Sequence, residues 1–481
     1  MSETGATSAV PLVVDLDGTL LHGDLLHESA LRFLAGRPLQ ALHLVRWLGG
    51  GKANLKRCIA ERVELDYETM PLHAELLAWI ASERRSGRRI VLCSASDRKF
   101  VEGVARHVGQ FDEVIASDGI TNVSAHHKAA ALEERFGAKG FDYVGNSSAD
   151  VPVWRSARRA IVVGGSERLR RAAATVATVE RSFEAPAGGV RAWLKAVRLH
   201  QWAKNLLVFI PLIASHRYTD LALLGPTVIA FFAFGLCASS VYLINDLIDI
   251  ESDRAHPHKR LRPFAAGRLS ALDGVGASVV CVILAFALAS QVNVAFCQWL
   301  AVYFGLTLWY TFVLKRKILV DALALAGLYT LRILGGGAAA SMWPGFWLLA
   351  LSVFLFLSLA FVKRYAELQL LKMRGAETVR GRDYMTSDAP LVQSFGVTAG
   401  FAAVVVLALY MNGDTIVRLY PHQEVVWLTV PTLLYWVTRI WVKAHRGELH
   451  EDPVVFAMTD GLSLLTIGAF IAVLLIGSVR W

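Results

Sequence analysis

The chain has 481 residues, 54% of them hydrophobic and 19% charged, with a net charge of +9 and a mean hydropathy of +0.44. That is too apolar for an ordinary soluble protein and too long for one domain. The positive balance does not call for nucleic acid: Lys and Arg cluster in loops beside apolar stretches, where a cytoplasmic membrane face or a polyphosphate substrate accounts for them. Five cysteines (Cys58, Cys93, Cys237, Cys281 and Cys297) show neither metal-ligand nor redox-pair spacing, which reads as free thiols in a reducing compartment. Met1 to Val10 has no basic segment followed by an apolar one, so no signal peptide is expected and the N-terminal part is expected in the cytoplasm.

Residues up to about Glu184 read as a soluble α/β domain. Val10 to Leu16 is a short buried-strand pattern running into Asp15, Asp17, Gly18 and Thr19. Further strand patterns cover Arg89–Ser94, Glu113–Ala116, Tyr143–Gly145 and Ala160–Gly164, separated by helical patterns such as Leu72–Arg85 and Ala129–Phe136. Strands alternating with helices predict a parallel sheet covered on both faces, with its site at the strand C-termini. The mostly helical stretch from Leu21 to Asp66 reads as a cap over that site. At the strand ends, Asp15 suits a nucleophile toward a phosphoryl group, and Asp17, two residues on, an acid/base. The Ser94 hydroxyl, with the helix N-terminus behind it, suits phosphate. Lys128 adds a positive charge, and Gly145 to Asp150 an amide and a carboxylate.

This set resembles the haloacid dehalogenase-like (HAD) phosphatase superfamily over about residues 10–180. Its DxDGT motif stands as Asp15–Thr19, its Ser/Thr motif as Ser94, its lysine motif as Lys128 and its last acidic motif as Gly145–Asp150. The resemblance implies a phosphatase with Mg²⁺ held by Asp15, Asp17 and Asp150. One departure is Asn146, which stands where the family usually has a metal-binding acid. A non-catalytic binding module is therefore the alternative for this domain.

Glu184–Val190 is a small-residue linker and the natural boundary. Beyond it, nine apolar stretches are long enough to span a bilayer: 199–216, 223–244, 271–292, 294–314, 318–340, 344–363, 391–411, 424–442 and 459–479. Lys204 and Asn205 interrupt the first. With a cytoplasmic N-terminus, loops 245–270, 315–317, 363–390 and 439–458 carry seventeen Lys and Arg, against three (Arg217, Arg418, Arg480) on the other side. The positive-inside rule supports that orientation.

The second span ends in Asn245, Asp246, Asp249 and Asp253. At about 100° per residue, Asp249 and Asp253 fall within roughly 60° of Asp246 on one helix face. Three acids together at a membrane surface repel one another unless a cation gathers them, and Mg²⁺ takes carboxylates together with substrate phosphates. Asp321 and Arg332, eleven residues apart on one helix face, and Lys204 are further buried charges in need of partners or substrate. Most other basic residues near helix ends, such as those around Lys259, Arg262 and Lys315, read as headgroup contacts.

Asn245–Asp253 fits the NDxxDxxxD motif of the UbiA superfamily of membrane prenyltransferases, and the resemblance covers about residues 190–481. Within it the chain looks most like polyprenyl-phosphate phosphoribosyltransferases, on Arg198–Asn205, Asp253–Pro263, Leu314–Lys315, Val320–Gly327, Leu331–Arg332 and Val362–Glu367. The resemblance implies transfer of 5-phosphoribose from PRPP to a polyprenyl phosphate, with Mg²⁺ on Asp246, Asp249 and Asp253 and Asn245 steadying the helix end. Lys204, Asn205, Lys259, Arg262, Lys315, Asp321, Arg332, Lys363 and Arg364 are its implied phosphate- and substrate-binding residues. An aromatic or quinone-pathway prenyltransferase is the rival reading; Leu325, where that group commonly has a second acid after Asp321, argues against it. The fusion implies that the HAD-like domain removes the 5-phosphate of the product.

The expected architecture is thus two-part. A Rossmann-like α/β HAD domain covers residues 1–183 with a helical cap at about 21–66, the linker covers 184–190, and an all-α, nine-helix UbiA-like membrane domain covers 191–481. One Mg²⁺ is expected in each domain. The partners expected are PRPP, polyprenyl phosphate, the bilayer of the inner (plasma) membrane and a homo-oligomer of the chain, but no nucleic acid.

Overall fold

A computed structural model describes residues 10–36, 40–118, 125–164, 166–184, 188–373, 375, 382–413, 419–449 and 452–479. The middle of the predicted linker (185–187), Arg418 and Arg480 lie outside the described residues. The chain divides into two compact units. One comprises Met1–Val197 together with Tyr242–Ala277, and the other Arg198–Val241 together with Ser278–Trp481. The aspartate motif therefore belongs to the same unit as the N-terminal domain.

The first unit is built on six parallel strands: β1 (Leu12–Val14), β2 (Ile90–Asp97), β3 (Glu113–Ser117), β4 (Asp142–Gly145), β5 (Arg159–Val163) and β6 (Thr178–Phe183). Their order is β3-β2-β1-β4-β5-β6. β1 registers Val13 against Val91 on one side and against Tyr143 on the other. Every residue of β1 and β4 is buried, as expected for a parallel sheet covered on both faces by apolar side chains. Leu12, Val14, Leu92 and Val144 pack toward one face, and Val13, Val91, Tyr143 and Trp154 toward the other. The strand order reverses between β1 and β4, so the crevice beyond their C-terminal ends is where such a sheet binds ligands. Asp15 follows β1, and Asn146 to Asp150 follow β4. Three helices, Leu25–Gly36, Ala41–Gly49 and Lys52–Ala60, occupy the stretch expected as a cap. β6 was not legible in the sequence: it is a sheet edge with mostly exposed or half-exposed side chains, and lacks the apolar run that marks its neighbours.

The chain is an integral membrane protein. Among the described residues, eight helices are long and apolar enough to cross a bilayer, from Leu221–Ile248 to Gly461–Ser478. The remaining expected stretch, 199–216, is not one continuous helix. Residues 199–216 form a 3₁₀ run over Leu199–Phe209 and a five-residue helix, Ile210–Ala214. The physical reason is that Lys204 and Asn205 are buried in protein, and Pro211 opens the short helix as a new first turn. Helix Val320–Ala339 is the most enclosed span, 72% of it buried, whereas Gly461–Ser478 is 11% buried. The outer helices expose Ile283, Trp309, Val405 and Leu465, as a lipid-facing surface does. Close approach to the central helix depends on glycine at Gly336, where a Cβ would collide with the Val208 carbonyl oxygen.

Candidate active-site residues

In the crevice of the sheet, Asp15 accepts hydrogen bonds from Lys128 Nζ at 2.6 Å and from Thr19 Oγ1 at 3.1 Å. Burial raises the Asp15 carboxyl to about 7, and Lys128 pulls it back. Lys128 is held above its ordinary value, because Asp15 outweighs the burial that would lower it. Asp17 has a separate set of donors: Oδ1 accepts from Leu25 N at 2.8 Å, and Oδ2 from Ser94 Oγ at 2.8 Å and Ser96 Oγ at 2.7 Å. Burial raises the Asp17 carboxyl as well.

Asp150 is committed to its own loop. Oδ2 accepts from Asn146 N, Ser147 N and Ser147 Oγ at 3.0–3.1 Å, and Oδ1 accepts from Tyr143 Oη at 3.0 Å. The Asn146 side chain presses on Gly18, whose φ of +73° suits glycine, and any Cβ there would strike it. Asp15 with Lys128 and Asp17 with Ser94 are paired as expected, but among the described residues Asp15, Asp17 and Asp150 are not gathered as a group that could hold a metal. Their hydrogen bonds, and the neutral Asn146 at the acid position, do not fit a metal.

The same unit holds the aspartate motif. Helix Leu221–Ile248 ends just after Asp246, and a short helix, Ile250–Arg254, continues the chain. The amide of Asp249 still donates to Asn245 O and that of Asp253 to Asp249 O, at 2.9 and 2.8 Å. The helical stacking expected of the three acids is therefore kept through the break. Asp246 and Asp253 are buried, while Asn245 and Asp249 are half-buried.

One nitrogen, Arg262 Nη1, lies 3.1 Å from Asp246 Oδ1 and 2.6 Å from Asp253 Oδ2. Two carboxylates about two turns apart therefore meet at one cationic point. Burial raises the Asp253 carboxyl to about 6, against the pull of Arg262. Among the described residues no group of three His, Cys, Asp or Glu is gathered to hold a metal. Oxygen donors converging on a positive charge nevertheless fit a hard cation such as Mg²⁺. Lys259 lies in the 3₁₀ turn Lys259–Leu261 just ahead of Arg262.

The second unit gathers the remaining charges into two clusters. In one, Lys204 Nζ and Lys363 Nζ pair with Asp452 Oδ2 at 2.8 and 3.0 Å. Tyr329 Oη donates to Asp452 Oδ1 at 3.2 Å. Burial would raise the Asp452 carboxyl, but Lys363 and Lys204 outweigh it and hold it well below the usual range. Arg332 donates to Asn205 Oδ1 at 2.9 Å and Tyr303 Oη at 2.8 Å, and lies over the rings of Tyr303 and Tyr329. Asn205 is 1% exposed, and its Nδ2 has no hydrogen-bond partner among the described residues.

In the other cluster, Arg364 reaches Asp321 at 2.5 Å, Glu367 at 2.6 Å and Tyr310 at 3.0 Å. Tyr384 Oη and Arg382 also donate to Asp321, at 2.7 and 3.3 Å. Asp321 is wholly buried and engaged by three donors. Lys315 lies in the turn Leu314–Arg316, just ahead of the helix that carries Asp321. Asp452 is the residue that sequence reasoning missed. Its signal was an Asp immediately before Pro453, the start of a helix whose Val454 amide it caps at 3.2 Å.

Comparison with known proteins matches two families to two successive parts of the chain. The model of the UbiA prenyltransferase family matches residues 206–456, and that of haloacid dehalogenase-like hydrolases matches residues 12–155. Uncharacterized protein y4nM of Sinorhizobium fredii is 37% identical over 470 residues, covering 96% of this chain and 90% of that protein. Nodulation protein NoeC of Azorhizobium caulinodans is 38% identical over 275 residues, 57% of this chain and 89% of NoeC. Decaprenyl-phosphate phosphoribosyltransferase of Mycolicibacterium smegmatis is 31% identical over 288 residues, 57% of this chain and 88% of that enzyme.

Proposed function

The chain belongs to the UbiA prenyltransferase family and carries a HAD-like domain at its N-terminal end, and on that premise we propose that it transfers 5-phosphoribose from PRPP to a polyprenyl phosphate, releasing diphosphate. The observation that carries this reading is the convergence of Asp246 and Asp253 on one cationic point, in a chain similar to a decaprenyl-phosphate phosphoribosyltransferase. Asp246 and Asp253, with Asp249 beside them, would hold Mg²⁺. When bound, that ion neutralises charge growing on the leaving diphosphate. With Mg²⁺ on the acids, Arg262 would be available to phosphate oxygens, with Lys259 in the turn just ahead of it.

The acceptor phosphate is assigned to Lys204, Asn205, Arg332 and Lys363. A phosphate oxygen supplies the acceptor that Asn205 Nδ2 lacks, and basic side chains among aromatic rings bind it with little competing water. The acceptor is already ionised near neutral pH, so no strong general base is required. Asn245 steadies the helix end. Asp321 and Arg364 hold each other, which leaves Asp321 in a supporting role. The same fact weighs against the prenyl diphosphate reading, because that chemistry draws on a second acidic site.

For the soluble domain a specific observation favours the second reading. Removal of the 5-phosphate would use Asp15 as nucleophile and Asp17 as acid/base, with Ser94 and Lys128 on the phosphate. Asp150 is consumed by its loop and Asn146 is neutral, so the set falls short of the acids that a metal-assisted hydrolysis draws on. The domain is taken as a phosphate-binding module. Phosphate release from purified phosphoribosyl lipid tests this: background release by wild type and by Asp15→Asn alike is expected. Release by wild type that Asp15→Asn abolishes would establish a two-step enzyme instead. The active sites are assigned to the cytoplasmic side of the inner membrane on the loop charges.

A further inference from the structure

The helix Leu25–Gly36 of the N-terminal domain is locked to the segment that carries Asp253. Arg254, the next residue, donates to Glu28 through both terminal nitrogens, Nη1 to Oε2 and Nη2 to Oε1, each at 2.8 Å. Both side chains are nearly buried, at 7% and 11% exposure. One turn along the same helix, Arg32 pairs with Glu251 at 2.8 Å. The charges alternate across the contact, so each helix offers the other an acid and a base.

Arg254 has a second engagement. Its Nε donates to Ala265 O at 3.0 Å, which ties down the loop that places Arg262 between Asp246 and Asp253. An independent contact lies further along that loop. Gly267, at φ +67°, is so close to the His22 backbone that a Cβ would collide with the His22 carbonyl oxygen. His22 follows the DxDGT segment by three residues.

A buried bidentate Arg–carboxylate pair is strong and directional, and breaking one partner leaves the other charged and buried. Such a pair, beside a residue proposed to hold a metal, fixes the backbone of that residue rather than merely holding two domains near each other. We propose that Glu28 and Arg254 form an interlock through which the soluble domain positions Asp253 and Arg262 for the donor diphosphate. Glu28 and Arg254 are positioning residues here, and the soluble domain is a working part of the transferase whether or not it hydrolyses anything. The consequence for the reaction rests on the transferase reading; the interlock itself does not.

The test uses the full chain in detergent or nanodiscs, with the variants Glu28→Gln, Arg254→Gln and the exchange Glu28→Arg with Arg254→Glu. Glu167→Gln, in an exposed ion pair of the same domain, is the control. Two readouts separate the interlock from the function. Hydrogen–deuterium exchange follows the amides of Asp253 and Ala255, which bond to Asp249 O and Glu251 O. Each single variant is expected to raise their exchange about tenfold, and the exchange variant to restore it. Steady-state transfer should show the KM for PRPP raised about tenfold in the single variants, the KM for polyprenyl phosphate unchanged, and recovery to within about threefold in the exchange variant. Wild-type protection in Glu28→Gln, or no recovery in the exchange variant when its thermal unfolding matches wild type, overturns the interlock. Restored protection without any PRPP-dependent transfer by wild type keeps the interlock and overturns the transferase reading.

Discussion

At the scale of single residues, the chain repeatedly resolves buried charge by pairing it within the protein. Asp452 is the clearest case. Its carboxylate pairs with both Lys204 and Lys363, so Asp452→Asn leaves the buried Lys204 ammonium and the part-exposed Lys363 ammonium facing one amide. Loss of one partner of a buried pair costs roughly 3–5 kcal/mol, and thermal unfolding in detergent should show a correspondingly large drop for this variant. The carboxyl is held below its ordinary value. Its stabilising contribution is therefore present above the unfolded carboxylate pKa and is lost only as pH falls through the lower folded value, so this site should not destabilise the protein across the neutral range. Arg332→Lys removes the fork that reaches both Asn205 and Tyr303. It should raise the KM for polyprenyl phosphate about tenfold or more while leaving that for PRPP nearly unchanged, as initial-rate kinetics would show.

The DxDGT residues, Ser94, Lys128 and the aspartate motif were legible in the sequence, because each carries a chemical type at a fixed spacing. Asp452 was not, since its partners come from segments far apart in the chain. The engagement of Asp150 was equally hidden, because a carboxylate that caps its own loop reads the same as one that waits for a metal.

At the scale of elements, the parallel sheet was readable because its strands are apolar runs buried on both faces. β1, β2, β4 and β5 fall within a few residues of their expected positions, and β6 escaped because an exposed edge strand carries no such run. The membrane helices were readable for the same reason, by length and apolarity. The segment 199–216 shows the limit of that signal: an average over eighteen residues does not see that Lys204 and Asn205 turn inward to polar partners and stop a continuous helix. Helix Val320–Ala339 ties Asp321 and Arg332 to different clusters, about 16 Å apart at 1.5 Å per residue, although they share a face. Its packing is specific. Gly336→Leu places a side chain into the Val208 backbone, and a fall in thermal stability larger than that of Gly327→Leu, where only the Leu306 side chain approaches, is expected.

For the whole molecule, loop charge put the aspartate stretch on the same side as the N-terminal domain, but the residue pairs that group Tyr242–Ala277 with that domain were not legible. The sequence places a natural boundary at the linker, whereas the structure joins a loop from within the membrane half to the soluble half through Arg254 and Gly267. A pair 226 residues apart in the chain leaves no local pattern. The orientation that follows from loop charge has its own test. A single cysteine introduced at Lys315 in a cysteine-free background should react with an impermeant thiol reagent in inside-out vesicles and not in intact cells.

The central claim is the identity of the donor. Purified protein in lipid, with Mg²⁺, labelled PRPP and polyprenyl phosphate, should form a labelled lipid, and Asp246→Asn should reduce that rate at least a hundredfold with the fold intact by thermal unfolding. Absence of labelled lipid from wild type, alongside prenyl transfer from a prenyl diphosphate to an aromatic acceptor, would contradict the account.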